Sequence, residues 1–126
     1  MFDQIDRPDP EQRLRRILVE GLGDARSPAM RHTITAAADQ LQVYSRERHE
    51  HKHGRGPAPR LSLLTSAYEL VAEAGRMNRA MIESRGGSAL ANRLGVDVAF
   101  VTDELWQSSE AIGRWIEYER TRWSDR

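Results

Sequence analysis

Four carboxylates in the second half of the chain, Glu69, Glu73, Asp97 and Glu104, have the residue types for cation chemistry. Glu69 and Glu73 are spaced by one helical turn, and Asp97 and Glu104 by two. At about 100° per residue, each pair falls on one flank of its helix, about 60–120° from the neighbouring apolar stripe. Crowded carboxylates repel unless protons or cations intervene. Hard divalent cations such as Mg²⁺ favour oxygen ligands, keep several waters and take substrate phosphates. The four acids are therefore a candidate metal set, with Glu69, Glu73 and Asp97 as candidate catalytic groups. The plain alternative is a solvated flank neutralised by Arg76 or Arg93.

The elements that must position these acids read as helices. Asp9-Pro10-Glu11-Gln12 has the residues of a helix start, with Leu14, Ile17 and Leu18 as its apolar stripe and Gly21 and Gly23 as its end. Ser27-Pro28 opens a second helix, in which Met30, Ile34, Ala37, Leu41 and Tyr44 share one face. The stretch HEHKHGRGPAP breaks the chain. A third helix then carries Leu63, Ala67, Leu70, Ala74, Met77 and Met81 at alternating spacings of four and three. Gly86-Gly87 is a turn, after which Leu94, Val98, Val101, Leu105, Ser108, Ile112 and Trp115 continue the same spacing. The β-rich run VDVAFV is read inside that helical register.

The expectation is a single all-α domain over residues 1–126. It is a helical bundle of about four helices, near 10–20, 28–50, 60–84 and 88–122, centred on a long antiparallel hairpin. With the hairpin turn at Gly86, Glu73 lies opposite about Ala99 and Glu69 opposite about Asp103, so all four acids line one groove.

Composition narrows the classes. Lys plus Arg and Asp plus Glu are both 19, a net charge of zero that exerts no overall pull toward nucleic acid or anionic membrane. Without cysteine there is no disulfide, no thiolate zinc site and no cysteine nucleophile. No apolar run reaches the roughly 18 residues of a membrane span. The opening MFDQIDRPDP carries early acids and no apolar leader, and a cytoplasmic location is expected.

The segments PRLSLLTSAYELVAEAGRM and LGVDVAFVTDEL resemble the MazG-like all-helical nucleoside triphosphate pyrophosphohydrolases over roughly Tyr44 to Ile112. That family carries Glu-Glu-x-x-Glu on one helix and Glu-x-x-Asp on the next. The resemblance places Glu69 at a glutamate of the first motif and Asp97 at the aspartate closing the second. It implies Mg²⁺-assisted hydrolysis of a nucleoside triphosphate to monophosphate and pyrophosphate, a nucleotide partner and an oligomeric assembly. Metal would neutralise the phosphates and orient a water, and Arg46, Arg48 and Lys52 are candidate phosphate-binding cations. The motifs depart from the family in three places. The doubled acid is missing beside Glu69, Glu73 stands four residues on rather than three, and Leu94 occupies the acid position before Asp97. A degenerate, non-catalytic relative fits those departures.

Two further readings compete. A non-enzymatic helical interaction protein, or a subunit of a larger assembly, needs no active site. GSALANRLGVDVAFV also resembles a helix-turn-helix core, but its recognition segment offers Asp97, Asp103 and Glu104 and no cation before Arg114, a poor match to phosphate. His49 and His53 lie one turn apart in a tract read mainly as a polar connection. Finally, the hairpin register leaves everything beyond Ile112 without a partner in the hairpin. Ile112, Trp115, Ile116 and Trp123 are therefore a candidate homo-oligomer or partner interface.

Overall fold

The computed structural model describes residues 9–22, 28–84, 86–94 and 96–124. Helix α1 spans Pro10–Arg16 and runs on as one π turn over Ile17–Gly21; α2 spans Pro28–Lys52, α3 Leu61–Glu83, α4 Gly87–Leu94 and α5 Val98–Ser124. No strand occurs among the described residues. The protein is an all-α helical bundle.

Local chemistry sets the helix ends. The Asp9 carboxylate caps α1 by accepting from the Gln12 N–H at 2.8 Å, and Pro10 occupies the first turn, where its missing N–H costs nothing. The α3–α4 turn needs glycine twice. Gly86 has a φ of +70°, and a Cβ on Gly87 would stand 2.4 Å from the Ile82 carbonyl oxygen.

In the core, α3 buries Leu64, Ala67, Val71, Ala74, Asn78 and Met81. The 4-3-4-3-4 stripe is real but rotated by part of a residue, so Leu63, Leu70 and Met77 pack half-buried beside it. The rotation arises because α3 touches two neighbours, α2 and α5, and must present a wide face. Helix α1 likewise touches both α2 and α5, closing a four-membered ring around the core. Leu14 of α1 and Ile17 and Leu18 of its π turn are buried there.

The segment expected as one helix over about 88–122 is two. Helix α4 ends at Leu94 and α5 begins at Val98, with Asp97 as its cap, whose carboxylate accepts from the Phe100 N–H at 3.2 Å. VDVAFV therefore straddles a helix start. This break shifts the α3–α5 hairpin. Asn78 donates to the Thr102 hydroxyl at 2.8 Å, and Tyr68 packs beside Gly113, so Glu73 is level with about Ser108 and Glu69 with about Ile112. The offset from the sequence expectation is eight or nine residues, the length of α4, or about 12 Å of helix rise.

Helix α1 docks on the start of α5 at close range. The Asp97 N–H donates to the Gly21 carbonyl at 2.7 Å, and a Cβ on Gly21 would stand 2.9 Å from Val101 Cγ2 and 3.0 Å from the Phe100 ring. Gly21→Val is therefore expected to lower unfolding free energy by about 1–3 kcal/mol, since added volume in a packed contact forces the helices apart. Gly75→Ala, where a Cβ meets nothing within 4 Å, is the control and should stabilise by about 0.5–1 kcal/mol. Urea denaturation followed by circular dichroism measures both.

Candidate functional site

Each of the four carboxylates has a different role. Glu69 is exposed on α3. Glu73, half-buried, accepts from Arg76 on its own helix at 2.6 Å. Asp97 is exposed and caps α5. Glu104 is buried and accepts from Arg13 of α1 at 2.9 Å. Among the described residues no three His, Asp or Glu side chains come together in a way that could hold a metal ion. The expectation of one shared groove is thus corrected. The inserted α4 slides α5 along α3, which carries Asp97 away from both Glu69 and Glu73 and Glu104 away from Glu69. Glu104, now level with about Arg76, turns inward to Arg13 instead of joining Glu73. These residues do not fit a shared Mg²⁺ site.

The candidate phosphate-binding cations separate too. Arg46 and Lys52 are exposed, but Arg48 is committed to the fold. Its Nε donates to both Glu119 oxygens, at 3.0 and 3.2 Å, while the Tyr44 hydroxyl donates to Glu119 Oε1 at 2.5 Å. Glu119 is fully buried. Trp115 stands edge-on to Tyr44, with ring centroids 5.5 Å apart and planes at 88°. Ile112 and Ile116 are buried in the same core, so the expectation that Ile112, Trp115 and Ile116 form an interface is corrected. With the true register, Leu61 is level with about Glu119, and the hairpin covers those residues itself. The Trp123 side chain lies outside the described residues. The Glu119 clamp was missed in the sequence, although a carboxylate spaced four residues after Trp115 and three after Ile116 continues the buried face.

The outer side of the α3–α5 pair holds a feature of another kind. An open groove of about 400 Å³ runs between the two helices, lined by Val71, Gly75, Ile82, Leu105 and Trp106. Trp106 is 62% exposed and Ile82 43%. Asn78, 3% exposed, lines the groove; its amide nitrogen is bound to Thr102, and its Oδ1 is buried with no partner. The exposed Arg76 and Arg79 border the groove. The sequence signal for it is modest: Trp106 stands one residue off the apolar stripe, about 100° around from Leu105.

No helix among the described residues is long and apolar enough to cross a membrane. Comparison with protein-family models, with curated proteins and with solved structures finds no match to this chain.

Two outcomes follow from these contacts. Removing the acid in Glu119→Ala leaves Arg48 without its buried counter-charge and should cost about 3 kcal/mol, whereas Tyr44→Phe, which removes one hydroxyl, should cost about 1 kcal/mol. Urea denaturation at pH 7 gives both. At the entrance to α3, hydrogen bonds from Arg60 hold the Glu47 carboxyl below the usual carboxylate range. A depressed carboxylate stabilises the folded chain above its unfolded value, and that stability is lost as pH falls through the depressed one. Wild type should therefore exceed Glu47→Gln by less than about 1 kcal/mol at pH 7, the pair being partly exposed. The gap should close as pH falls below about 4. Thermal melts of the two proteins across pH 3–7 check the sign.

Proposed function

We propose that this protein is a non-catalytic helical assembly subunit that pairs with a second copy of itself through the α3–α5 face. The carrying observation is Trp106, a large aromatic side chain 62% exposed beside an open apolar groove. Contiguous apolar surface with an aromatic anchor is how interface centres are built.

The face is self-complementary. Across it run, in order, Arg76 and Arg79 on α3, the groove, then Trp106 and Asp103 on α5. Asp103 is level with about Met77, within one turn of Arg79, by the register that Asn78 and Thr102 set. A two-fold axis parallel to the helices would lay α3 of one copy on α5 of the other. Arg76 and Arg79 of each copy would then meet Asp103 of its mate, and each Trp106 would enter the shallow stretch at Ala72 and Gly75. Such an isologous contact needs this kind of pairing, in which each patch answers the other. From Tyr68 to Ile82 the face runs about 21 Å, which places the buried area at the small end of specific interfaces and the affinity in the micromolar range.

One observation favours a second reading. Exposed cations at Arg76 and Arg79 and an indole at Trp106 surround one groove. Those groups would suit the phosphates and ring face of a nucleotide. Equilibrium dialysis against a labelled nucleoside triphosphate, with and without Mg²⁺, tests that reading and the hydrolytic one together.

Sedimentation equilibrium between roughly 1 and 500 μM tests the pairing, and a dimer dissociating on the order of micromolar is expected. Trp106→Glu should give a monomer throughout. Arg79→Glu should weaken the dimer, and adding Asp103→Arg should restore it. A wild type that stays monomeric at the highest concentration, or a dimer indifferent to Trp106→Glu, overturns the proposal.

A further inference from the structure

The last turn of α2 presents a second arrangement, independent of the groove. His49 and His53 are exposed, and the His53 N–H donates to the His49 carbonyl at 3.2 Å, so both sit on one closed helical turn. Their imidazole rings lie together, with centroids 4.4 Å apart and planes tilted by 56°. Two imidazoles bound to one cation at about 2.0–2.1 Å per nitrogen place their centroids about 5 Å apart, within reach of small side-chain rotations. The neighbouring groups are drawn elsewhere. Glu50 accepts from Arg55 at 2.6 Å, and His51 Nδ1 is 2.9 Å from the Gly56 carbonyl oxygen.

We propose that His49 and His53 form a two-imidazole binding site for a divalent first-row transition cation, tightest for Cu²⁺ and weaker for Ni²⁺ and Zn²⁺. Imidazole nitrogen selects these borderline ions over Mg²⁺, and the order follows their general preference for nitrogen ligands. No third His, Asp or Glu joins the pair among the described residues, so the remaining coordination positions fall to water or to an incoming ligand. The site is therefore open. Its occupation would tie the last turn of α2 to His53, the first residue of the connection to α3. That connection turns through Gly54, at a φ of +72°, and returns to the α2 side through Arg60 and Glu47.

The test uses CuCl₂, ZnCl₂ and MgCl₂ on the whole chain. Cu²⁺ titration should saturate at one ion per chain, with an electron paramagnetic resonance spectrum showing two nitrogen ligands. The melting temperature should rise with CuCl₂ and ZnCl₂ and stay unmoved by MgCl₂, because an ion that binds only the folded chain stabilises it by mass action. His49→Asn and His53→Asn should each weaken Cu²⁺ binding by more than about tenfold, while His51→Asn should leave it unchanged. The His49 and His53 side chains are exposed, so their variants should fold as wild type. A spectrum with fewer than two nitrogens, no binding at all, or full affinity in the double variant, which would mean an ion held elsewhere, overturns the proposal.

Discussion

Glu119 lies in the core with no solvent exposure, and a charge placed there costs several kcal/mol unless its oxygens are answered. Tyr44 and Arg48 answer them, both from α2. This is where α2 and α5 meet through side chains, with Trp115 set edge-on to Tyr44 beside the clamp. Nearer the start of α5, Glu104 is buried and answered by Arg13 of α1. Both carboxylates belong to α5, so the rotation of that helix is constrained at two heights. Turning α5 by one residue, about 100°, would withdraw both acids from their arginines. The same constraint fixes what faces outward. Trp106 lies about 160° around the helix from Glu104 and about 140° from Glu119, so holding the acids in the core turns the indole to solvent.

The break between α4 and α5 has consequences of equal reach. Inserting α4 moves α5 along α3 by about its own length. Carboxylates that a direct hairpin would gather are spread out, and the residues around Ile112 that a direct hairpin would leave uncovered find partners on α2 and α3. The acids left on the α3 surface then behave as ordinary surface charges, as Glu73 does with Arg76. What remains open is the outer seam of α3 and α5, where Ala72 and Gly75 are too small to close the gap beside Trp106. A surface of that kind suits contact with another molecule, in keeping with the pairing proposed above.

Local chemistry, readable residue by residue, determined much of the architecture. The caps at Asp9 and Pro10, the apolar spacings of α2 and α3, the Gly54 and Gly86 turns and the absence of strand patterning all describe short-range preferences, and the helices follow them. Helix α1 and its π turn cover part of the core with Leu14, Ile17 and Leu18, as their stripe implied. The restart at Asp97 was also written locally, as an acid followed three residues later by the N–H that it caps. The unbroken apolar spacing through Val98 hid it, because a stripe can keep its phase from one helix to the next.

Tertiary structure alone decided which side chains meet. Register between α3 and α5 depends on how long a turn is, and a single misplaced helix end propagates along the whole pair at about 1.5 Å per residue. That is why Glu69, Glu73, Asp97 and Glu104 look like a set in sequence and are not one in space. Partner choice for a charge is equally nonlocal. Nothing near Glu119 in the chain indicates that Arg48, 71 positions away, neutralises it, nor near Glu104 that Arg13 does so across 91. Periodicity reports which face of a helix is buried, because burial depends on the helix's own geometry. Which neighbour covers that face, and at what height, is set by the packing of all the helices at once.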